Sequence, residues 1–97
     1  MIIREGQGGY GNISYNFDGK YIRRGFSPYG QILYNIDSSN RIREGESGYG
    51  RIVGNIDSNK YIRFGESPYG MIMFNIDGKY IRRGETSFGD ILYTIEY

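Results

Sequence analysis

Ile13-Ser14-Tyr15-Asn16-Phe17-Asp18-Gly19-Lys20-Tyr21-Ile22-Arg23-Arg24-Gly25 is the stretch that decides the fold. Apolar residues alternate with polar ones from Ile13 to Phe17, and again from Tyr21 onward, which is the period of a half-buried strand. Asp-Gly between two such runs is a strong signal for a tight hairpin loop. The stretch therefore reads as a long strand, a turn and a short strand.

The same text returns along the whole chain. Its short-strand isoleucines are Ile3, Ile22, Ile42, Ile62 and Ile81, a spacing of 19, 20, 20 and 19 residues. A fixed period of this size marks a repeat architecture, whose single unit is too small to bury its own apolar face. Asp18-Gly19 and Asp77-Gly78 become Asp37-Ser38-Ser39 and Asp57-Ser58-Asn59 in the longer units, so the extra residue lies in the turn.

A two-residue loop at Asp18-Gly19 sets Asn16 opposite Tyr21 and Tyr15 opposite Ile22. A three-residue loop sets Asn35 opposite Arg41 and Tyr34 opposite Ile42. Cross-strand partners share a face, so one face collects Ile13, Tyr15, Phe17 and Ile22 with their equivalents, including Ile32, Ile52, Ile72 and Ile91. The other collects Asn16, Asn35, Asn55 and Asn75 with Tyr21, Tyr61, Tyr80, Arg23, Arg43, Arg63 and Arg82.

Between units the chain reads Gly-x-Ser-x-Tyr-Gly, as from Gly25 to Gly30. Glycine at both ends suits a positive φ or a close approach of backbones, and Pro28 and Pro68 place the segment outside the ladder. The chain is then one all-β domain, 1–97, an antiparallel meander of about ten short strands. It begins on a short strand and finishes on a long one, so closure would pair the two ends and remove both edges. A closed barrel, an open sheet packed as a dimer and a parallel solenoid are the ways to cover the apolar face.

Twelve Lys and Arg against 11 Asp and Glu give a charge of +1, without the basic excess expected of a duplex nucleic-acid binder. There is no histidine and no cysteine, which removes the commonest general base, the disulfides and the commonest zinc ligands. No apolar run approaches a membrane span and no signal pattern opens the chain, so a cytoplasmic protein is the default expectation. No catalytic residue, metal or cofactor is expected. The repeated turn Asp are read as hairpin chemistry, because calcium needs six to eight oxygens gathered at one point.

Two sets of residues carry a functional reading. Tyr21/Arg23, Tyr61/Arg63 and Tyr80/Arg82, with Arg43, form a Tyr/Arg face of the composition found at interface hot spots. Read structurally, they are a cross-strand ladder covering the sheet. Tyr10, Tyr29, Tyr49 and Tyr69, with Phe88 in the fifth copy, are expected to fold over the end of the core as a lid. Left open, they would instead be repeated rim sites where rings stack on sugars.

The text Tyr-Gly-x-Ile-x-Tyr-Asn-x-Asp-Gly-Lys-Tyr-Ile-x-x-Gly resembles the MORN-type repeats. Tyr29-Gly30, Tyr34, Tyr21, Asp18-Gly19 and Gly25 occupy matching places, although that family's unit is longer and carries a tryptophan. The resemblance implies a hairpin array serving as a scaffold or dimerisation surface, with no catalytic residues. The sequence thus predicts a non-enzymatic module for protein interaction, self-association or scaffolding, with carbohydrate binding as the alternative.

Overall fold

The computed structural model describes Met1–Tyr97. Ten strands follow one another: β1 (Ile2–Glu5), β2 (Ile13–Phe17), β3 (Tyr21–Arg24), β4 (Ile32–Ile36), β5 (Arg41–Glu44), β6 (Ile52–Asp57), β7 (Tyr61–Phe64), β8 (Ile72–Asp77), β9 (Tyr80–Arg83) and β10 (Ile91–Glu96). Each pairs antiparallel with its neighbours in sequence, and β1 pairs with β10, so the meander is a closed barrel. Closure abolishes the sheet edges and sets aside the open-sheet dimer and the solenoid. The molecule is a disc of 35 × 33 × 15 Å, and no helix is long and apolar enough to cross a membrane.

The hairpin register differs from the expected one by two residues. Asn16 faces Arg23, not Tyr21, and Phe17 faces Ile22; likewise Asn35 faces Arg43 and Ile36 faces Ile42. The cause is the turn aspartate. Asp18 is the first flank of the loop, its Oδ1 accepting from the amides of Lys20 and Tyr21, so Gly19-Lys20 form the loop and Gly19 takes the positive φ of 107°. Asp77 and Tyr80 pair around Gly78-Lys79 in the same way. A slip of two preserves which face each of these side chains occupies. The extra residue of the longer units does lie in the turn, with Asp37 and Asp57 flanking loops that contain left-handed Asn40, Ser58 and Asn59.

A second departure moves five isoleucines. Every long strand carries a β-bulge, at Ser14, Leu33, Val53, Met73 and Leu92, where the register shifts by one. A bulge puts two residues opposite one and reverses the alternation beyond it. Ile13, Ile32, Ile52, Ile72 and Ile91 therefore pair with Arg4, Arg23, Arg43, Arg63 and Arg82 on the outer side of the barrel. They are not part of the inner face to which simple alternation assigns them.

What remains inside includes a ring to which each strand contributes one residue, with Phe17, Ile36, Ile56, Ile76 and Ile95 further along the long strands on the same face. The short strands contribute Ile3, Ile22, Ile42, Ile62 and Ile81; the long strands contribute Tyr15, Tyr34, Gly54, Phe74 and Tyr93, paired alternately with them. The ring does not close at its centre. It surrounds a cavity of about 450 Å³ lined by 13 residues, 12 of them hydrophobic, and Ile95 is the one large apolar residue classed as buried.

Candidate functional site

The outer face is built from the Asn/Arg pairs that the two-residue slip brings together. Asn16 donates its amide to the carbonyls of Gly25 at 2.8 Å and Ser27 at 3.1 Å. Beside it, Arg23 Nη1 donates to Gly30 O at 3.0 Å. The loop from Gly25 to Gly30 is thereby folded back against the barrel wall and held at both ends. Asn35/Arg43, Asn55/Arg63 and Asn75/Arg82 repeat these contacts on the next three loops. Gly25 also donates its amide to the bulged Ser14 carbonyl at 2.9 Å, so the bulge supplies an acceptor that the loop needs.

The arginines are anchored from behind. Asp37, Asp57 and Asp77 accept Nε of Arg43, Arg63 and Arg82 at 3.0–3.1 Å. The backbone amide of Tyr21, and then that of Lys20, holds the Asp18 carboxyl below its usual range. The amide of Arg41 does most of this for Asp37, and the Arg63 guanidinium for Asp57. Tyr21, Tyr61 and Tyr80 lie half-buried alongside, each with a lysine ammonium 5.2–5.5 Å from its ring centre, a cation–π distance. The predicted Tyr/Arg face exists as one surface, and its guanidinium groups are engaged in holding the loops. No three potential metal-binding side chains come together anywhere in the chain.

The loop aromatics stand elsewhere than expected. Tyr10, Tyr29, Tyr49, Tyr69 and Phe88 are 91–102% exposed and cover nothing; they form no lid. Yet four of the five, all but Tyr10, sit on a stiff support. The Ser27 hydroxyl accepts the Tyr29 amide at 3.0 Å, and Gly30 N donates back to Ser27 O at 3.1 Å. Ser47, Ser67 and Thr86 do the same for Tyr49, Tyr69 and Phe88. The glycine after each ring is required: a Cβ on Gly11, Gly30, Gly50, Gly70 or Gly89 would strike the last carbonyl oxygen of the preceding strand. The first loop glycines, such as Gly25 at φ +75°, serve the other predicted purpose, a left-handed backbone. Five rings thus project around one disc, four of them from turns clamped by a hydroxyl.

The fifth unit is assembled from both ends of the chain. Thr94 takes the place of asparagine and donates to Gly6 O at 2.6 Å, while Arg4 donates to Gly11 O at 3.1 Å and pairs with Glu96 at 3.4 Å. Ten antiparallel strands, five loops held to the wall and one seam make a ring of similar petals, and residues 3–97 match the family described as "6-fold beta flower protein". The chain belongs to that family. This beta flower closes with five petals where the family description counts six. Its membership replaces the MORN resemblance, which shares the hairpin repeat and its turn residues only. No curated protein and no solved structure matches the chain.

Residues of the cavity were not singled out by the sequence reading. The signal was there as departures from the repeat: Gly54 where other units have Tyr or Phe, and Phe64 where they have Glu5, Arg24, Glu44 and Arg83.

Proposed function

We propose that this beta flower is a non-enzymatic interaction module that binds a protein partner, a second copy of the chain included, through its ring of loop-tip aromatics. The observation that carries this reading is the full exposure of Tyr10, Tyr29, Tyr49, Tyr69 and Phe88 on loops whose two ends are hydrogen-bonded to the barrel wall. Tyrosine is a preferred hot-spot residue, and a pre-ordered loop loses little freedom on binding. Five equivalent contacts on one body raise avidity without any single strong site. The Tyr21, Tyr61 and Tyr80 rings beside the loops supply secondary contact area, with Arg23, Arg43, Arg63 and Arg82 fixing their surroundings.

Carbohydrate binding is the second reading, favoured by the same observation, since an open ring face stacks on a sugar as readily as on a side chain. Replacing Tyr29, Tyr49 and Tyr69 by Ser one, two and three at a time leaves the clamps intact. Under the proposal, retention of a partner on immobilised protein falls stepwise with each ring removed. Equal retention by the triple variant would defeat it. Binding on a glycan array that the triple variant lacks moves the assignment to carbohydrate.

A further inference from the structure

The lumen is not five-fold. Gly54 leaves a gap in the ring between its partners Ile42 and Phe64, and on the opposite strand Ile3 pairs with Tyr15 and Ile95, with Tyr93 two residues before Ile95 on the same face. The gap has its own apolar approach. Phe64 pairs with Gly54, and its amide donates to Met71 O at 2.9 Å; both side chains are exposed, at 63% and 71%. In every other unit the position of Phe64 carries a charge, and Glu44 is further ion-paired with Arg51 at the position of Met71. One mouth of the barrel is therefore charged around most of its circumference and apolar over the gap alone.

Across from the gap lies the polar end. The rings of Tyr15 and Tyr93 meet edge to face at 6.0 Å. Burial, and then the neighbouring Tyr15, push the Tyr93 hydroxyl up, so it stays protonated and able to donate. The cavity of about 450 Å³ falls within the range of small-molecule sites, which are mostly apolar with a few placed polar groups. Its walls are only partly covered from solvent, and wet apolar wall favours an apolar occupant.

We infer that the lumen is a binding site for a small uncharged apolar molecule with one hydrogen-bonding group, its apolar body over Gly54 and its polar end toward Tyr15 and Tyr93. An ion is disfavoured, because no charged side chain lines the cavity. A macromolecular segment is disfavoured by the charged rim that encloses the rest of the mouth. This site is distinct from the loop tips, and neither proposal depends on the other.

The test uses the whole chain and the uncharged fluorophore N-phenyl-1-naphthylamine, a fused-ring molecule with one N–H. The inference expects saturable fluorescence enhancement at one probe per chain, with amide shifts in an NMR titration concentrated at Gly54 and Tyr93. Phe64→Arg restores the charge found in other units at an exposed position, so it keeps the fold and weakens binding about tenfold, the weight of one aromatic contact. Met73→Trp fills the lumen and abolishes binding; circular dichroism confirms its fold. Tyr29→Ser leaves the probe affinity unchanged. Absence of saturable binding, full affinity in Phe64→Arg, or enhancement that appears only as chains associate by light scattering would overturn the inference.

Discussion

The side-chain amide of Asn35 donates to Gly45 O at 2.8 Å and to Ser47 O at 3.1 Å, so one strand residue holds a loop ten positions downstream. Asn35 is 2% exposed, so solvent has little access to its side chain. Asn35→Ala should cost about 1–3 kcal/mol, because it leaves two partly buried carbonyls without their donor. Asn35→Asp should cost at least as much, since a carboxylate has no proton to donate. Urea unfolding midpoints measure both; a wild-type midpoint for either would mean that the clamp contributes nothing.

Gly48 and Gly50 share a loop and separate two roles of glycine. A Cβ at Gly48 meets nothing, whereas one at Gly50 meets the Glu44 carbonyl oxygen. Gly48→Ala should leave the melting temperature unchanged or slightly raised, because it restricts the unfolded chain. Gly50→Ala should lower it sharply by forcing the loop off the strand. Equal melting temperatures for the two variants would contradict the packing described.

The turn aspartates set an acid limit on stability. Asp18, Asp37 and Asp57 have carboxyls held below the ordinary value of 3.8, so the folded state binds their protons less tightly than the unfolded one. Their contribution is present above that value and is lost as the pH falls through the lower folded values. Thermal unfolding should therefore show a falling midpoint from about pH 4 downward, less steep in the variant with Asp18→Asn, Asp37→Asn and Asp57→Asn combined. Because Asp18 is exposed and Asp37 and Asp57 partly so, salt should weaken the effect. A wild-type slope retained in the triple variant would assign the acid limit to other carboxylates.

The seam between β1 and β10 includes a contact between residues 88 apart in sequence, Thr94 Oγ1 to Gly6 O. Thr94→Val keeps the shape and removes the donor. It should lower stability by about 1–2 kcal/mol and speed hydrogen exchange in β1 and β10 before the other strands. Unchanged exchange in those two strands would show that the seam carries no load in solution.

Much of this architecture was legible in the text of the repeats. The hairpins, the meander and the pairing of the ends follow from alternation, turn residues and period. The Asp-Gly signal puts Asp18 inside the loop, whereas its side chain binds the amides of Lys20 and Tyr21, which makes it the flank. That error of two residues hides the central fact of the outer face, that each Asn stands beside an Arg. The loop rings were misread for a related reason. An aromatic before glycine suits a lid, but the Ser hydroxyl and the close-packed glycine turn each ring outward.

The sequence by itself determined the unit, its two strands, its turn and the number of copies, because these depend on contacts between residues near one another along the chain. Tertiary structure alone decided the rest. The five bulges arise from fitting each long strand to two neighbours and to the loop glycine that needs its carbonyl, and they send Ile13 and its equivalents outward. The lumen exists because ten strands close at a circumference that one ring of side chains cannot fill. Gly54 is a small residue in a strand when read along the chain; only across the closed barrel does it become a gap facing Tyr15 and Tyr93.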